Sequence, residues 1–407
     1  MANYTFPQLE TQTIAIKLTV AGERSIRKQH PWIFSESIEK INKEGQAGDI
    51  TIIFSHNGNK PIGVGLFDPY SPIRIKMLHF GSGAKLDSAF FSKKIERAYS
   101  LRKDLQKTNT NSYRLLFGEN DGFPGLIADV YANVLVVKIY SAIWWPYFET
   151  ILKTLLEVSK CSCAILRLGR NLQKEPLGKM FEDGAVVFGT LENETIYFKE
   201  HGVQFSANVI KGHKTGYFLD HRHNRKSVGE LSKGKSVLDV FAYAGGFSVH
   251  ALVNGAKEVT SLDISEQALQ LALDNGKRNA YTGSHKTLTG DAFMVMQQLI
   301  KSGKLYEVVV IDPPSFAKSA KEVTIALKKY AQLAALGVQL MAPKGLLVLA
   351  SCSSRVNSED FFATNEKALK DSGRKYKILD KTHHDIDHPI GFPEGAYLKC
   401  GYYQLDK

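Results

Sequence analysis

The sequence predicts an α/β protein in three parts: an all-β domain over residues 1–80, an α+β middle domain over 81–195, and a doubly wound, Rossmann-like domain over 196–407. Three observations carry this expectation. At 407 residues the chain is too long for one ordinary core. Residues 13–80 read as short strands punctuated by turn signals, and from residue 236 onward strands alternate with helices.

In the first part, "TIAIKLT", "DITIIFSHNGNKPIGVGLFD" and "SPIRIKML" are β-rich runs, and the "NGN" at 57–59 is a hairpin signal between two of them. In the second, "SAFFSKKIERAYSLRKDLQK" (88–107) has helical periodicity. It is followed by strands at 134–140 and 163–169, with a helix at 147–159 between them. "AVVFGT" and "TIYFKEHGVQFSA" add strands near 185–207. In the third, "SVLDVF", "EVTSLDI", "KTLTGD", "VVVID" and "GLLVLAS" are strands, each followed by a helical segment. The second of those helices is opened by Ser265 as its cap, and "YKILDKT" and "YLKCGYYQ" complete the sheet. In such a sheet ligands bind at the carboxyl ends of the strands.

Composition narrows the function. With 43% hydrophobic and 23% charged residues, the chain is globular rather than disordered. No apolar run reaches the about 18 residues of a membrane-spanning helix, and "MANYTFPQLETQ" lacks a signal-peptide pattern. A cytoplasmic protein with no membrane association is expected, with Cys161, Cys163, Cys352 and Cys400 reduced. The cysteines form no CxxC pair, so no metal site is expected. The net charge of +11 suits a polyanionic partner. Residues 196–235 concentrate it, with 8 basic and 3 acidic side chains, and read on charge alone as a solvated connecting segment.

The chemistry concentrates at the strand ends. "LDVFAYAGGFS" carries Asp239 at the first strand's end, then Phe241 and the pair Gly245-Gly246, where a ligand approaches the backbone closely. Asp263 ends the second strand, 24 residues on, where an acid accepts hydrogen bonds from ribose hydroxyls. Asp291 follows the third strand, suited to an adenine amino group, and Asp312 ends the fourth. One such acid is usually a helix cap or a solvated turn residue; four in register point to an adenosine-containing cofactor. The glycine loop lacks the third glycine of a pyrophosphate cradle, so S-adenosylmethionine, which has no phosphate, fits better than a dinucleotide.

These residues resemble a class I S-adenosylmethionine-dependent methyltransferase, and "DPPSF" resembles the motif that lines its target-base pocket, through Pro313, Pro314 and Phe316. Cys352 then suggests the reaction. Carbon 5 of a pyrimidine is a poor nucleophile until a thiolate has added to carbon 6, which is covalent catalysis by a cysteine. The alternative for Cys352 is a small buried hydrophobe. From end to end the chain is similar to bacterial 5-methylcytosine methyltransferases of large-subunit ribosomal RNA that carry an N-terminal PUA domain. The similarity runs through "SIRKQHPWIFSESI", "GLFDPYSPIRIKML", "YRLLFGENDGFPGLIADVYANVLVVKIYS", "KTGYFLDHRHNR" and "HPIGFPEGAYLKC". The resemblance implies Cys352 as nucleophile, Asp312 orienting the base, and Tyr217, Asp220 and Arg222 helping to enclose the cofactor. It also implies large-subunit ribosomal RNA as partner, with a homodimer allowed. Two positions depart from the family pattern: His221 stands where glutamine is commoner, and Ser315 where lysine is common.

Other features are ambiguous from sequence. Trp32, Tyr70, Trp144 and Trp145 suit either nucleotide stacking or small cores. His383, His384, Asp385 and His388 fall in an irregular segment without standard ligand spacing. Cys161 and Cys163 read as packing residues. Two rival functions remain: a guanine exocyclic-amine methyltransferase of the same fold, and a non-catalytic RNA-binding assembly factor.

Overall fold

A computed structural model describes residues 4–58 and 60–406; Asn59, the last residue of the "NGN" turn, lies outside them. The chain forms two compact units. One comprises the residues up to Lys199 with Ser206–Leu219 and Ile386–Gly395. The other comprises Glu200–Phe205, Asp220–Asp385 and Ala396 onward.

The first unit opens with a six-stranded sheet of β1 (Thr13–Leu18), β2 (Trp32–Phe34), β3 (Ile38–Ile41), β4 (Ile50–Phe54), β5 (Pro61–Phe67) and β6 (Ile73–Phe80), in the order β2-β6-β5-β4-β1-β3. Alternation along β1 turns Ile14, Ile16 and Leu18 inward onto Ile26, Ile33 and Ile53. One helix, α1 (Val20–Arg27), interrupts the otherwise all-β pattern and is capped by Thr19. A second sheet follows α2 (Ser88–Gln106). It comprises β7 (Ser112–Phe117), β8 (Leu126–Tyr131), β9 (Val134–Ile139), β10 (Cys163–Leu168) and β11 (Ala185–Phe188), with α3 (Phe148–Ser159) between β9 and β10. Trp144 and Trp145 are fully buried in its core with Phe91 and Phe148, which removes them from nucleotide stacking. Trp32 is half-buried and its indole donates to Glu119, whereas Tyr70 is exposed. Cys161 and Cys163 are buried, as packing residues should be.

β12 (Thr195–Glu200) and β13 (Val203–Asn208) form a two-stranded hairpin turned by His201 (φ 49°) and Gly202 (φ 83°). Two successive left-handed residues suit the twist of a tight hairpin.

In the second unit, α4 (Arg222–Leu231) precedes a seven-stranded sheet. Its strands are β14 (Ser236–Val240), β15 (Glu258–Asp263), β16 (Ser284–Thr289), β17 (Tyr306–Ile311), β18 (Met341–Ser351), β19 (Tyr376–Thr382) and β20 (Lys399–Leu405). The order is β16-β15-β14-β17-β18-β20-β19, parallel through β18 and antiparallel at β20 and β19. The "VVVI" run of β17 is buried on both faces, as a central parallel strand requires. Leu238, Val309 and Leu347 pack into the core formed with α7 (Ala292–Lys301), α8 (Val323–Gln339) and α9 (Ser358–Asp371). Val237, Val308 and Val348 pack against α4 and α5 (Gly246–Val253) on the other face, and α6 (Glu266–Lys277) links β15 to β16. Each fully buried aliphatic side chain contributes roughly 1.5–3 kcal/mol.

The basic stretch 196–235 is not a solvated linker. Arg222, Asn224 and Arg225 of α4 are buried, and Arg225 makes a two-pronged ion pair with buried Glu200 (2.7 and 2.6 Å), which also bonds His250 (2.9 Å). Charge count overstated solvation there because the two arginines, Arg222 and Arg225, are buried against acids, while the lysines of the stretch stay at the surface.

Candidate active site

The chain enters the seven-stranded sheet in its middle, at β14, runs outward to β16, and then crosses back to β17. The carboxyl ends of β14 and β17 therefore flank the point where strand order reverses, the usual ligand crevice of such sheets. The β14–α5 loop lies there. Phe241 (φ 66°), Tyr243 (φ 47°) and Gly245 (φ 75°) are all left-handed, and only Gly245 adopts this at no steric cost. Two such non-glycine residues cost on the order of 1–3 kcal/mol each and persist only where the surroundings hold them. Here Phe241 N and Ala242 N donate to Leu262 O, Tyr243 N donates to the Asp263 carboxylate (2.9 Å), and Asn275 donates to Ala244 O (3.0 Å).

The four acids differ in place and role. Asp263 ends β15 and accepts from Tyr243 N and Ser265 N. Asp312 directly follows β17, half-buried, with its N–H on Val240 O. Asp239 lies one residue inside β14. It is buried and its Oδ2 accepts from Ser248 N and Oγ, while Oδ1 has no hydrogen-bond partner among the described residues. Burial pushes this carboxyl up to about 7, against the lowering effect of Ser248. Asp291 caps α7, its side chain accepting from Met294 N, and it is exposed. The strict register of four strand-end acids thus holds for Asp263 and Asp312. Asp239 is internal, and Asp291 has the cap role that single acids usually have.

β17 and β18 are parallel neighbours with Ile311 opposite Leu349, so Asp312 and Cys352 emerge from adjacent strands at one edge of the sheet. Cys352 is half-buried on the turn after β18, and that turn is pinned on both sides. Tyr330 of α8 bonds Ser351 Oγ (2.8 Å), which accepts from Ser353 N (3.2 Å). Lys399 of β20 donates to Ser353 O (2.6 Å) and Val356 O (2.7 Å). Burial pushes the Tyr330 phenol up to about 12, with Cys352 and Asp312 acting in the same direction. Pro313 is buried and Pro314 exposed. Phe316 leans on Tyr330 (5.2 Å between centroids) beneath the Lys329 ammonium (5.0 Å). Ser315 donates to Ala317 O.

The segment around residue 220 supplies a partner for Asp312. His221 is buried, its Nε2 lies 3.4 Å from Asp312 Oδ1, its Nδ1 meets Asn224, and its ring stands edge-on to Phe247. Asp220 accepts from the Tyr397 hydroxyl (2.8 Å), and Arg222 pairs with Asp385 (3.0 Å), so both brace α4 against later chain. Tyr217 belongs to the first unit, buried edge-on against Phe198 with its N–H on the Tyr131 hydroxyl. Among the histidine-rich residues, His384 accepts from Leu398 N and His388 bonds Asp387.

Sequence reading missed His221 as the partner of Asp312, and also Tyr243, Tyr330 and Lys399. For Lys399 a signal existed: a lone cation in the apolar run "AYLKCGYYQL" is costly to bury unless it has something to do.

A parallel sheet with a left-handed loop and a strand-end acid at its reversal point defines a Rossmann-like enzyme domain built around a nucleoside-bearing cofactor. The chain belongs to the S-adenosylmethionine-dependent methyltransferase family, whose model matches residues 113–389, and residues 16–80 match a PUA-like domain. A Deinococcus radiodurans protein named ribosomal RNA large subunit methyltransferase is 38% identical over 406 residues, covering 98% of this chain and 99% of the relative. One from Shewanella frigidimarina named ribosomal RNA large subunit methyltransferase I is 35% identical, covering 95% and 98%. The fold matches a Streptococcus mutans structure described as a SAM-dependent methyltransferase, with TM-score 0.81 at 21% identity, covering 96% and 99%. It also matches a methyltransferase structure complexed with SAH, with TM-score 0.81 at 20% identity, covering 97% and 100%.

The residues present fit S-adenosylmethionine. Asp263 keeps lone pairs for ribose hydroxyls, the strained loop brings backbone to the crevice, and Asp239 leaves a buried oxygen without a partner.

Proposed function

We propose that the chain methylates carbon 5 of a cytosine in large-subunit ribosomal RNA through a covalent adduct on Cys352. The printed names of the two relatives support the RNA class. The observation that carries the base and the mechanism is the emergence of Asp312 and Cys352 from adjacent parallel strands at the cofactor edge.

When bound, S-adenosylmethionine supplies an electrophilic methyl group and leaves as S-adenosylhomocysteine. The Cys352 thiolate adds to carbon 6 of the pyrimidine, and the resulting enamine makes carbon 5 nucleophilic enough to take that methyl. Asp312, steadied by His221, holds the N3 edge of the base. A base then removes the carbon-5 proton, the double bond re-forms, and the Cys352 sulfur leaves as thiolate. The half-buried thiol suits this role, because a nucleophile must be reachable yet sheltered.

The test is methyl transfer to deproteinised large-subunit RNA from cells lacking the protein. Cys352→Ala should lower transfer at least 1,000-fold, and RNA transcribed with 5-fluorocytidine should trap a protein–RNA adduct on the wild type alone. Retention of rate by Cys352→Ala, with methyl on a guanine amine, would replace this reading by the rival one.

A further inference from the structure

Lys399 is 2% exposed at the start of β20, where the other strongly polar side chain, Gln404, faces solvent. Its ammonium has three N–H donors, and two go to Ser353 O and Val356 O, the carbonyls bracketing the turn after Cys352. β20 pairs with β18 so that Lys399 lies opposite Ser351, one residue before Cys352. Two neutral carbonyls do not repay the burial of an ammonium. Among the described residues no carboxylate lies within ion-pair distance of its Nζ. The anion this arrangement lacks is the one that Cys352 forms on losing its proton.

We propose that Lys399 is the positioning residue that holds Cys352 as a thiolate, turning its third N–H to the sulfur while its other two fix the turn. This rests on the reading of Cys352 as nucleophile and deepens it. Burial draws the Lys399 ammonium down to about 8, while Cys352 acts to keep it charged. The other titratable groups around the turn are of mixed sign. Tyr330 faces it from α8 and Asp312 from the end of β17. His383 contacts Leu398 O beside Lys399, Cys400 is buried next in sequence, and Arg355 is exposed on the turn itself. The Asp312 carboxyl at the end of the neighbouring strand disfavours a second negative charge beside it, which the Lys399 ammonium offsets.

Iodoacetamide alkylation of the full chain across pH, with Cys352 followed by peptide mass spectrometry, reads the thiolate directly and needs no turnover. The wild-type midpoint should lie below the roughly 8.5 of an ordinary thiol. Lys399→Met should raise it by about one pH unit or more and lower kcat at neutral pH about tenfold, with activity regained as pH rises. Lys399→Arg should stay near the wild type. A wild-type midpoint at or above about 8.5 overturns the proposal even if Lys399→Met fails to fold. So does an unchanged midpoint in a folded Lys399→Met, or a Lys399→Arg midpoint that rises to that of an ordinary thiol. Failure of the nucleophile reading has a different signature, methyl transfer by Cys352→Ala.

Discussion

His221 places a buried imidazole 3.4 Å from the Asp312 carboxylate. Burial favours the neutral ring, but the charge of nearby Asp312 opposes it, with Asp220 adding to it, and the net effect raises the histidine above its ordinary value. The folded state therefore holds the proton more tightly than the unfolded chain. The stability this contributes is fully present below the unfolded value of about 6.5 and is lost as pH rises through the higher folded value. Wild type should exceed His221→Gln in unfolding free energy by on the order of 1 kcal/mol at pH 6, with the gap closing toward pH 9. Denaturant titrations of both proteins at several pH values check this; a difference constant across that range would show that the pair carries no proton-linked energy. The sequence marked position 221 only as a departure from the family pattern. The fold supplies its role by bringing residue 221 to the end of β17.

At the scale of elements, what was legible followed from burial pattern. β14, β17 and β18 announce themselves by their Val/Ile/Leu content because a central parallel strand is apolar on both faces. The helix α4 was missed because the side chains it buries include Arg222, Asn224 and Arg225, which pair with Asp385, Thr382 and Glu200, so no apolar stripe shows. α1 was missed for a related reason, burying only Gly22 and Ile26. Asp263, Asp312 and Cys352 were readable because each lies at a strand end. Tyr330 and Lys399 reach the same edge from α8 and from an antiparallel strand, a neighbourhood no local pattern encodes. The β14–α5 loop is the element that the proposed cofactor site leans on most. At Gly245 a Cβ would lie 2.7 Å from the Ala272 Cβ, with φ already at +75°. Gly245→Ala should therefore destabilise the second unit by about 2–3 kcal/mol, and calorimetry should show S-adenosylhomocysteine binding weakened at least tenfold. Wild-type affinity in that variant would mean the loop is not part of the cofactor site.

At the scale of the molecule, the first unit is not contiguous in sequence: it is completed by Ile386–Gly395, inserted between two stretches of the second. From sequence this segment read as the later part of an irregular stretch, beginning before His383, without standard ligand spacing. Its role rests on pairings across more than 270 residues that composition does not reveal. Asp387 is fully buried. Its carbonyl accepts from Arg102 (3.1 Å), its Oδ2 from Arg114 N (2.9 Å), and its Oδ1 bonds His388 (2.8 Å), whose ring rests edge-on to Phe117. Arg102, itself fully buried, is also held by both oxygens of Asp121 (3.0 and 2.6 Å). Asp387→Ala leaves a buried N–H without its acceptor and a buried imidazole without its carboxylate, which should cost the first unit about 3 kcal/mol. The three tryptophans, Trp32, Trp144 and Trp145, all belong to that unit, so indole emission reports on it alone. In urea the emission transition of Asp387→Ala should move to lower denaturant with unchanged slope, while binding of S-adenosylhomocysteine by the second unit persists below that transition. A transition superimposable on the wild type would show that the inserted segment does not help to hold the first unit together.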